Sequence, residues 1–325
     1  MMITELENIQ DCISKLRNHQ SILDKKNISE THKSIGNSVA SSVYFSNESK
    51  QQQTAIKIGD DTAAIPQADG SHLLFAAEGI IENFLNADPW FAGYSAVMVN
   101  ISDICAMGGL PIAVTDTIYS KNAEDSVQIW EGMLAASEKY GVPIVGGHTC
   151  YHSQNKALSV SVMGKATQNL LTSFDAKPNE KLLLAIDQNG AYYKEYPFWN
   201  ASTTSNAKKL QEIVRLPHQI ANKNLSNVCK DVSMGGVIGT IYMLMNTSNI
   251  GVEINLESIT KPDSVLWEKW LVSFPSYGYL FSCSEENVAE IQSIFSKKGI
   301  NCDAIGTITS QKELIINYKE QKIKF

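Results

Sequence analysis

The sequence predicts an α/β (α+β) chain with two domains behind a polar leader. Three observations carry that reading. Residues 54–168 alternate short apolar, strand-like runs with two longer helical ones. A polar stretch from Thr167 to Glu180, holding Pro178, breaks the pattern. Beyond it the alternation resumes at Lys181–Ile186 and closes as strand, helix, strand over 277–283, 285–298 and 301–308. The expected division is a leader over 1–53, a first domain over 54–168 and a second over 175–325.

In the leader, Leu6, Ile9, Ile13 and Leu16 fall at helical spacing, which predicts one short amphipathic helix packed on the body. The run Ser46–Gln53 reads as a loose connector. Strands are expected near 54–58, 72–77, 112–118, 142–146 and 157–164. A buried helix is expected over 89–107. Asp88 can cap its first turn, Pro89 fits its first position, and Gly108, Gly109 and Pro111 end it. A second helix, 123–140, starts at Asn122 and ends at Gly141. The strand at 142–146 is expected to run into a Gly-Gly turn. In the second half, the aromatic stretch Ala191–Trp199 reads as a packed hydrophobic lid or as a substrate or partner surface. The segment Lys230–Gly236 opens an apolar helix over Val237–Met245, and a Gly-rich turn at a helix start can bind anions. Two helices are too few to cover both faces of the first sheet, so a homodimer is expected.

Composition narrows the function classes. A chain of 325 residues with 43% hydrophobic content can bury a sizeable core. The net charge of −7 argues against nucleic acid and anionic membranes as partners. No apolar run reaches the ~18 residues that span a bilayer. The N-terminus lacks the basic and apolar regions of a secretory signal. The six cysteines are scattered without a Cys-x-x-Cys pair, so disulfides and zinc are not expected and a cytoplasmic setting is.

The chemistry-bearing residues sit at element ends. Asn100 and Asp103 lie three apart, on one face of the apolar helix. Asp103 stands near its C-terminal end, where the helix dipole opposes a negative charge. A buried carboxylate there is costly without a cation or donors beside it. The alternative is that Asp103 caps a neighbouring loop. Asp60 and Asp61 follow a β-type run, Glu78 ends an apolar strand, and Gly146-Gly147-His148-Thr149 offers bare backbone N–H groups. An Asp-Asp pair alone is commonly a solvated turn. Together these groups suit a Mg²⁺–nucleotide, because carboxylates collect hard cations and turn N–H groups receive phosphate.

The order Gly59-Asp60-Asp61-x-Ala-Ala, a strand-end acid, Asn100-x-Ser-Asp103-x-x-Ala-Met-Gly-Gly-x-Pro111, then Gly146-Gly-His-Thr149 resembles the AIR-synthase-related (PurM-like) superfamily. Selenide water dikinase and thiamine-monophosphate kinase are the most similar members. The resemblance implies an N-terminal mixed sheet that joins a second copy in a dimeric β-barrel, and a C-terminal α/β domain. It implies ATP and Mg²⁺ as cofactors, with Asp61, Glu78, Asp103 and Asp231 on the metal. Asp60, Asn100, Gly146, Gly147, His148, Thr149, Ser233, Gly235 and Gly236 would face the nucleotide. Asp61, Asp103 and His148 would carry catalysis, with His148 orienting or protonating a phosphate or making only a structural bond. The Gly-Cys-Gly-Cys-Lys run of selenide water dikinases is missing, although Cys12 and Lys15 are present. Met234 and His148 stand where thiamine-monophosphate kinases carry aspartates. The resemblance therefore implies ATP-dependent phosphoryl transfer to a small-molecule acceptor, with the subgroup unassigned. A non-catalytic nucleotide-binding or partner-interaction protein on the same fold is the alternative. Lys25, Lys26 and Lys33 can fold over the site from the leader, or remain solvated surface lysines.

Overall fold

The computed structural model describes residues 9–25, 57–167 and 169–325. Leu6, Lys26, Lys33, the connector 46–53 and most of the strand expected at 54–58 lie outside them. Helix α1 (Ile9–Arg17) buries Ile9, Cys12, Ile13 and Leu16, and residues 20–25 are again helical.

The first sheet contains β1 (Ala63–Pro66), β2 (His72–Ile80), β3 (Leu110–Tyr119), β4 (Ile144–Cys150) and β5 (Ala157–Ala166), in the order β1-β2-β5-β3-β4. Only β3 and β4 pair in parallel. Two expectations need correction here. Lys57 and Ile58 are not strand, and the first strand starts at Ala63, after the acidic turn. Gly146–Thr149 is not a turn but the body of β4, because its backbone continues the parallel ladder of β3. Glycines carry no side chains to betray a period of two, so the sequence concealed the strand.

Helix α2 (Pro89–Ala106) has the predicted ends. The Asp88 side chain accepts from the Phe91 N–H, Pro89 is its first residue, and Gly108 takes φ +72°. Helix α3 (Ala123–Tyr140) is capped by Asn122 and closed by Gly141 in the left-handed region. A short helix, Glu82–Ala87, precedes α2 and was not expected. Glycines let α2 approach its neighbours closely on both sides. A Cβ on Gly93 would overlap the Ile129 carbonyl of α3, and one on Gly132 would overlap the Trp90 carbonyl. On the sheet side, Gly164 sits against the Ile104 side chain.

Alternation along the strands gives this sheet one covered and one open face. Leu74, Val114, Ile118, Val160 and Val162 enter the core with α2. Phe75 and Met163 pair on the opposite face and are 51% and 42% exposed. The sheet is open among the described residues, with β1 and β4 at its edges.

The second half builds on β6 (Lys181–Ile186), the hairpin β7 (Ala191–Tyr192) and β8 (Phe198–Asn200), β9 (Val228–Asp231) and β10 (Gly251–Asn255). It continues with β11 (Phe274–Pro275), β12 (Gly278–Cys283), β13 (Asn301–Thr309), β14 (Leu314–Tyr318) and β15 (Gln321–Lys324). A seven-stranded sheet runs β15-β14-β10-β13-β6-β12-β9. Helices α4 (Gly236–Ser248) and α5 (Val288–Ser296) accompany it. The unbroken apolar run of β6 is explained by burial of both faces. Leu183 and Ala185 join α5 and the first domain in one core. Leu182, Leu184 and Ile186 join α4 and the leader helix in another.

The aromatic stretch takes the packed reading. Tyr193 stacks on Phe91 with ring centroids 3.7 Å apart, Tyr196 meets Phe84 edge-on, and Lys194 pairs with Asp88. The hairpin thus clasps the N-terminal end of α2. No helix among the described residues is long and apolar enough to cross a membrane.

Candidate functional site

The acids named from the sequence converge from four places in the fold. Asp60 and Asp61 come from the turn before β1, Glu78 from the end of β2, Asp103 from the last turn of α2, and Asp231 from the end of β9. Asp103 is influenced by the charges of Asp231, Glu78 and Asp61, so these carboxylates share one electrostatic neighbourhood. Asp103 is 7% exposed, and its Oδ2 has no hydrogen-bond partner. Burial pushes its carboxyl well above the usual range, and the neighbouring acids add to the push. Burial likewise raises Asp231 to about 7 and Asp60 to about 6, in each case against the opposing charge of Lys230. Glu78 remains open to solvent, yet its crowded surroundings push its carboxyl up as well.

Two lysines complete the neighbourhood. Lys230 is fully buried between the acids, bonded to Asp61 Oδ1 and 3.8 Å from Asp60 Oδ1. Burial works against its charge, but Asp61, Asp60 and Asp231 outweigh it and raise its pKa. The sequence carried one signal for it, a lysine inside the buried strand Val228–Asp231. Lys25 arrives from the leader. Its Nζ donates to Ser233 Oγ at 2.9 Å, and Asp231, Asp61 and Glu78 act on it electrostatically. Burial lowers its pKa, and Asp231 opposes the shift.

Lys25 stands against the Gly-rich start of α4. Gly235 takes φ +95° and Gly236 φ +60°. A Cβ on Gly236 would run into the backbone of Leu271 and Val272, so only glycine fits this tight entry. Helix α4 has no side-chain cap at its N-terminus, where the dipole favours anions.

Other predicted residues stand apart. Asn100 is fully buried and donates to the Ala96 carbonyl of its own helix, leaving Oδ1 without a partner. Gly146, Gly147, His148 and Thr149 lie on the far edge strand. Glu78, Val160, Asp116 and Gly147 form one row across β2, β5, β3 and β4. Three strand spacings put β4 roughly 14 Å from β2. His148 is exposed and contacts Cys150 Sγ at 3.6 Å, on the face opposite Gly147. One protomer therefore does not gather this strand with the acids. Asp116 was not singled out from the sequence. It is buried in the same row, and neither carboxylate oxygen has a partner.

Among the described residues no three acids, histidines or cysteines are preset as a metal-ligand group. The acids are gathered but not caged. The unpartnered Asp103 Oδ2 is what a hard cation would satisfy, so the residues present fit such an ion.

Comparison with known proteins agrees with this architecture. The family profile "AIR synthase related protein, N-terminal domain" matches residues 59–166, and that of the C-terminal domain matches 184–319. An uncharacterized protein of Synechocystis sp. is 45% identical over 78% of this chain and 79% of its own. One of Methanocaldococcus jannaschii is 34% identical over 97% of this chain and 95% of its own. Thiamine-monophosphate kinase of Buchnera aphidicola is 28% identical, covering 87% of this chain and 94% of the relative. Among solved structures, T. maritima PurL complexed with ADP superposes with a TM-score of 0.70 at 19% identity over 81% of this chain. The chain spans 44% of that larger PurL chain. AaThiL complexed with AMPPCP and TMP gives 0.63 at 18% identity, covering 82% of this chain and 91% of the other. With both halves matched in order, the chain belongs to the AIR synthase related family and has its two-domain PurM-like fold.

Proposed function

We propose that this chain is an ATP- and Mg²⁺-dependent enzyme that transfers a phosphoryl group to a small-molecule acceptor. The observation that carries the reading is the buried, unpartnered Asp103 Oδ2 amid Asp231, Glu78 and Asp61. Such a carboxylate is costly unless a cation comes to it. Mg²⁺ neutralises phosphate charge during transfer. Asp103, Glu78 and Asp231 would hold it, with Asp61 alongside. The nucleotide phosphates would lie toward Ser233, Gly235 and Gly236, where the α4 dipole and Lys25 favour negative charge. Asp60 supports this region by accepting the Ser173 N–H at 2.6 Å. The nucleotide complexes of PurL and AaThiL, and the similarity to the Buchnera thiamine-monophosphate kinase, support the class of reaction.

The same reading calls for a homodimer. The open face of the first sheet presents Phe75, Met163 and Tyr119, with β4 at its edge. A second copy would cover this face and bring its own Gly146–Thr149 strand, with His148 as the remaining candidate for phosphate contacts. Six free cysteines fit a reducing, cytoplasmic setting.

The test is nucleotide turnover over a panel of small acceptors, with thermal shifts recorded alongside. ATP should raise Tm with Mg²⁺ and not in EDTA. An equal shift in EDTA would sink the metal assignment. Binding without turnover of any acceptor would favour a non-catalytic nucleotide-binding protein. Light scattering should give a dimer mass, and Met163→Lys should give a monomer; a monomeric wild type would refute the assembly.

A further inference from the structure

The acid cluster is divided into two unequal halves. In the Asp60–Asp61 half every carboxylate oxygen already has a partner from the chain. Asp60 Oδ1 accepts the Asp61 N–H at 3.0 Å, and Asp60 Oδ2 accepts the Ser173 N–H at 2.6 Å. Asp61 Oδ1 takes the Lys230 ammonium, and Asp61 Oδ2 accepts the Asp231 N–H at 3.4 Å. These side chains are sealed from solvent, with Asp60 1%, Asp61 5% and Lys230 1% exposed. The other half, Asp103, Glu78 and Asp231, differs. Its buried Asp103 Oδ2 is unpartnered.

We propose that Lys230 is a built-in counter-cation that occupies the place of a divalent ion between Asp60 and Asp61, leaving only the Asp103–Glu78–Asp231 half to bind metal. The inference deepens the Mg²⁺ reading of the preceding section and rests on it. An ammonium and a divalent ion cannot share one space between two carboxylates. Lys230 is further immobilised within β9, so it is not displaced as a surface lysine would be. It acts as a positioning residue. It fixes the Asp60–Asp61 turn against β9 and sets how many ions the cluster collects.

This makes an uncommon sign prediction. If Lys230 were merely structural, removing it would weaken metal binding. If it stands in for an ion, removing it frees Asp61 Oδ1, leaves two buried carboxylates without a counter-charge and increases metal binding. The experiment is Mn²⁺ titration of the full-length dimer or monomer as isolated, read by electron paramagnetic resonance of free Mn²⁺ and by Tm. Lys230→Met should bind one more Mn²⁺ per protomer than wild type. Its Tm should fall in EDTA and recover with Mn²⁺. Lys230→Arg, which keeps the charge, should keep the wild-type number. An unchanged or smaller number in Lys230→Met overturns the proposal. If Lys230→Met does not fold in EDTA, refolding in Mn²⁺ supports the proposal, and failure to refold there while Lys230→Arg folds overturns it. Wild type that binds no Mn²⁺ would refute the metal reading of the Asp103 half. The increment on removing Lys230 would still decide its role separately.

Discussion

Asp103→Asn separates a metal site from a buried structural acid. The substitution keeps shape and removes the charge. Burial and three acidic neighbours push the Asp103 carboxyl well above the usual range, so its charged form is disfavoured in the metal-free protein. Asparagine removes that disfavoured charge, and metal-free stability should hold or rise. The rise is bounded by the cost of one unsatisfied buried polar atom, about 1–3 kcal/mol. Each kcal/mol corresponds to roughly 2–4 °C in Tm for large domains. Ligand-linked stability should behave differently. At Mg²⁺–ATP a hundredfold above Kd, the wild type gains about 2.7 kcal/mol. A tenfold loss of affinity leaves about 1.4 kcal/mol, and a hundredfold loss about 0.4 kcal/mol. Scanning calorimetry with ATP, in Mg²⁺ and in EDTA, reads both quantities on one sample. A folded Asp103→Asn protein that keeps the full Mg²⁺–ATP shift would refute the central site.

Two further perturbations follow from the geometry. Gly93→Ala drives a Cβ into the Ile129 carbonyl and should cost about 1–3 kcal/mol in urea unfolding; unchanged stability would show that α2 and α3 are not in backbone contact. Burial raises Asp60 to about 6 and Asp231 to about 7, both above ordinary carboxylates. The folded state therefore holds these protons more tightly, and their stabilisation is complete below about pH 4 and lost as pH rises through 6 to 7. Metal-free Tm should fall across that window, less so in Asp231→Asn and less so with Mg²⁺; identical slopes in all three would contradict the assignment.

The legible parts of the fold were those with local grammar. Asp88-Pro89 and Gly108 marked both ends of α2, and Asn122 and Gly141 those of α3, because caps and left-handed exits act within a few residues. The run at Lys181–Ile186 and the closing strand–helix–strand were visible through apolar pattern alone. The acids of the candidate site were readable because buried charge at an element end is conspicuous. What escaped depended on distance through space. Lys230 stands 169 residues from the Asp61 that holds it, and no local pattern announces that pairing. Lys25 reads as easily as a surface lysine, because the Ser233 hydroxyl it reaches lies 208 residues away in the sequence. The strand through Gly146–Thr149 was hidden because its register is set by β3, not by its own side chains.

Glycine at the contacts of α2 has a consequence for how this scaffold can be altered. With Gly93 and Gly132 closing the gap to α3, and Gly164 closing the gap to the sheet, α2 has no slack in which to slide or roll. Interiors packed this closely switch between discrete arrangements and do not drift. Asp103 is thus a fixed origin for the site, and any redesign that aims to move it will unfold the first domain before it relocates the carboxylate. Met234, beside the glycine entry to α4 and 61% open to solvent, is free of such contacts and can be replaced without moving the helix.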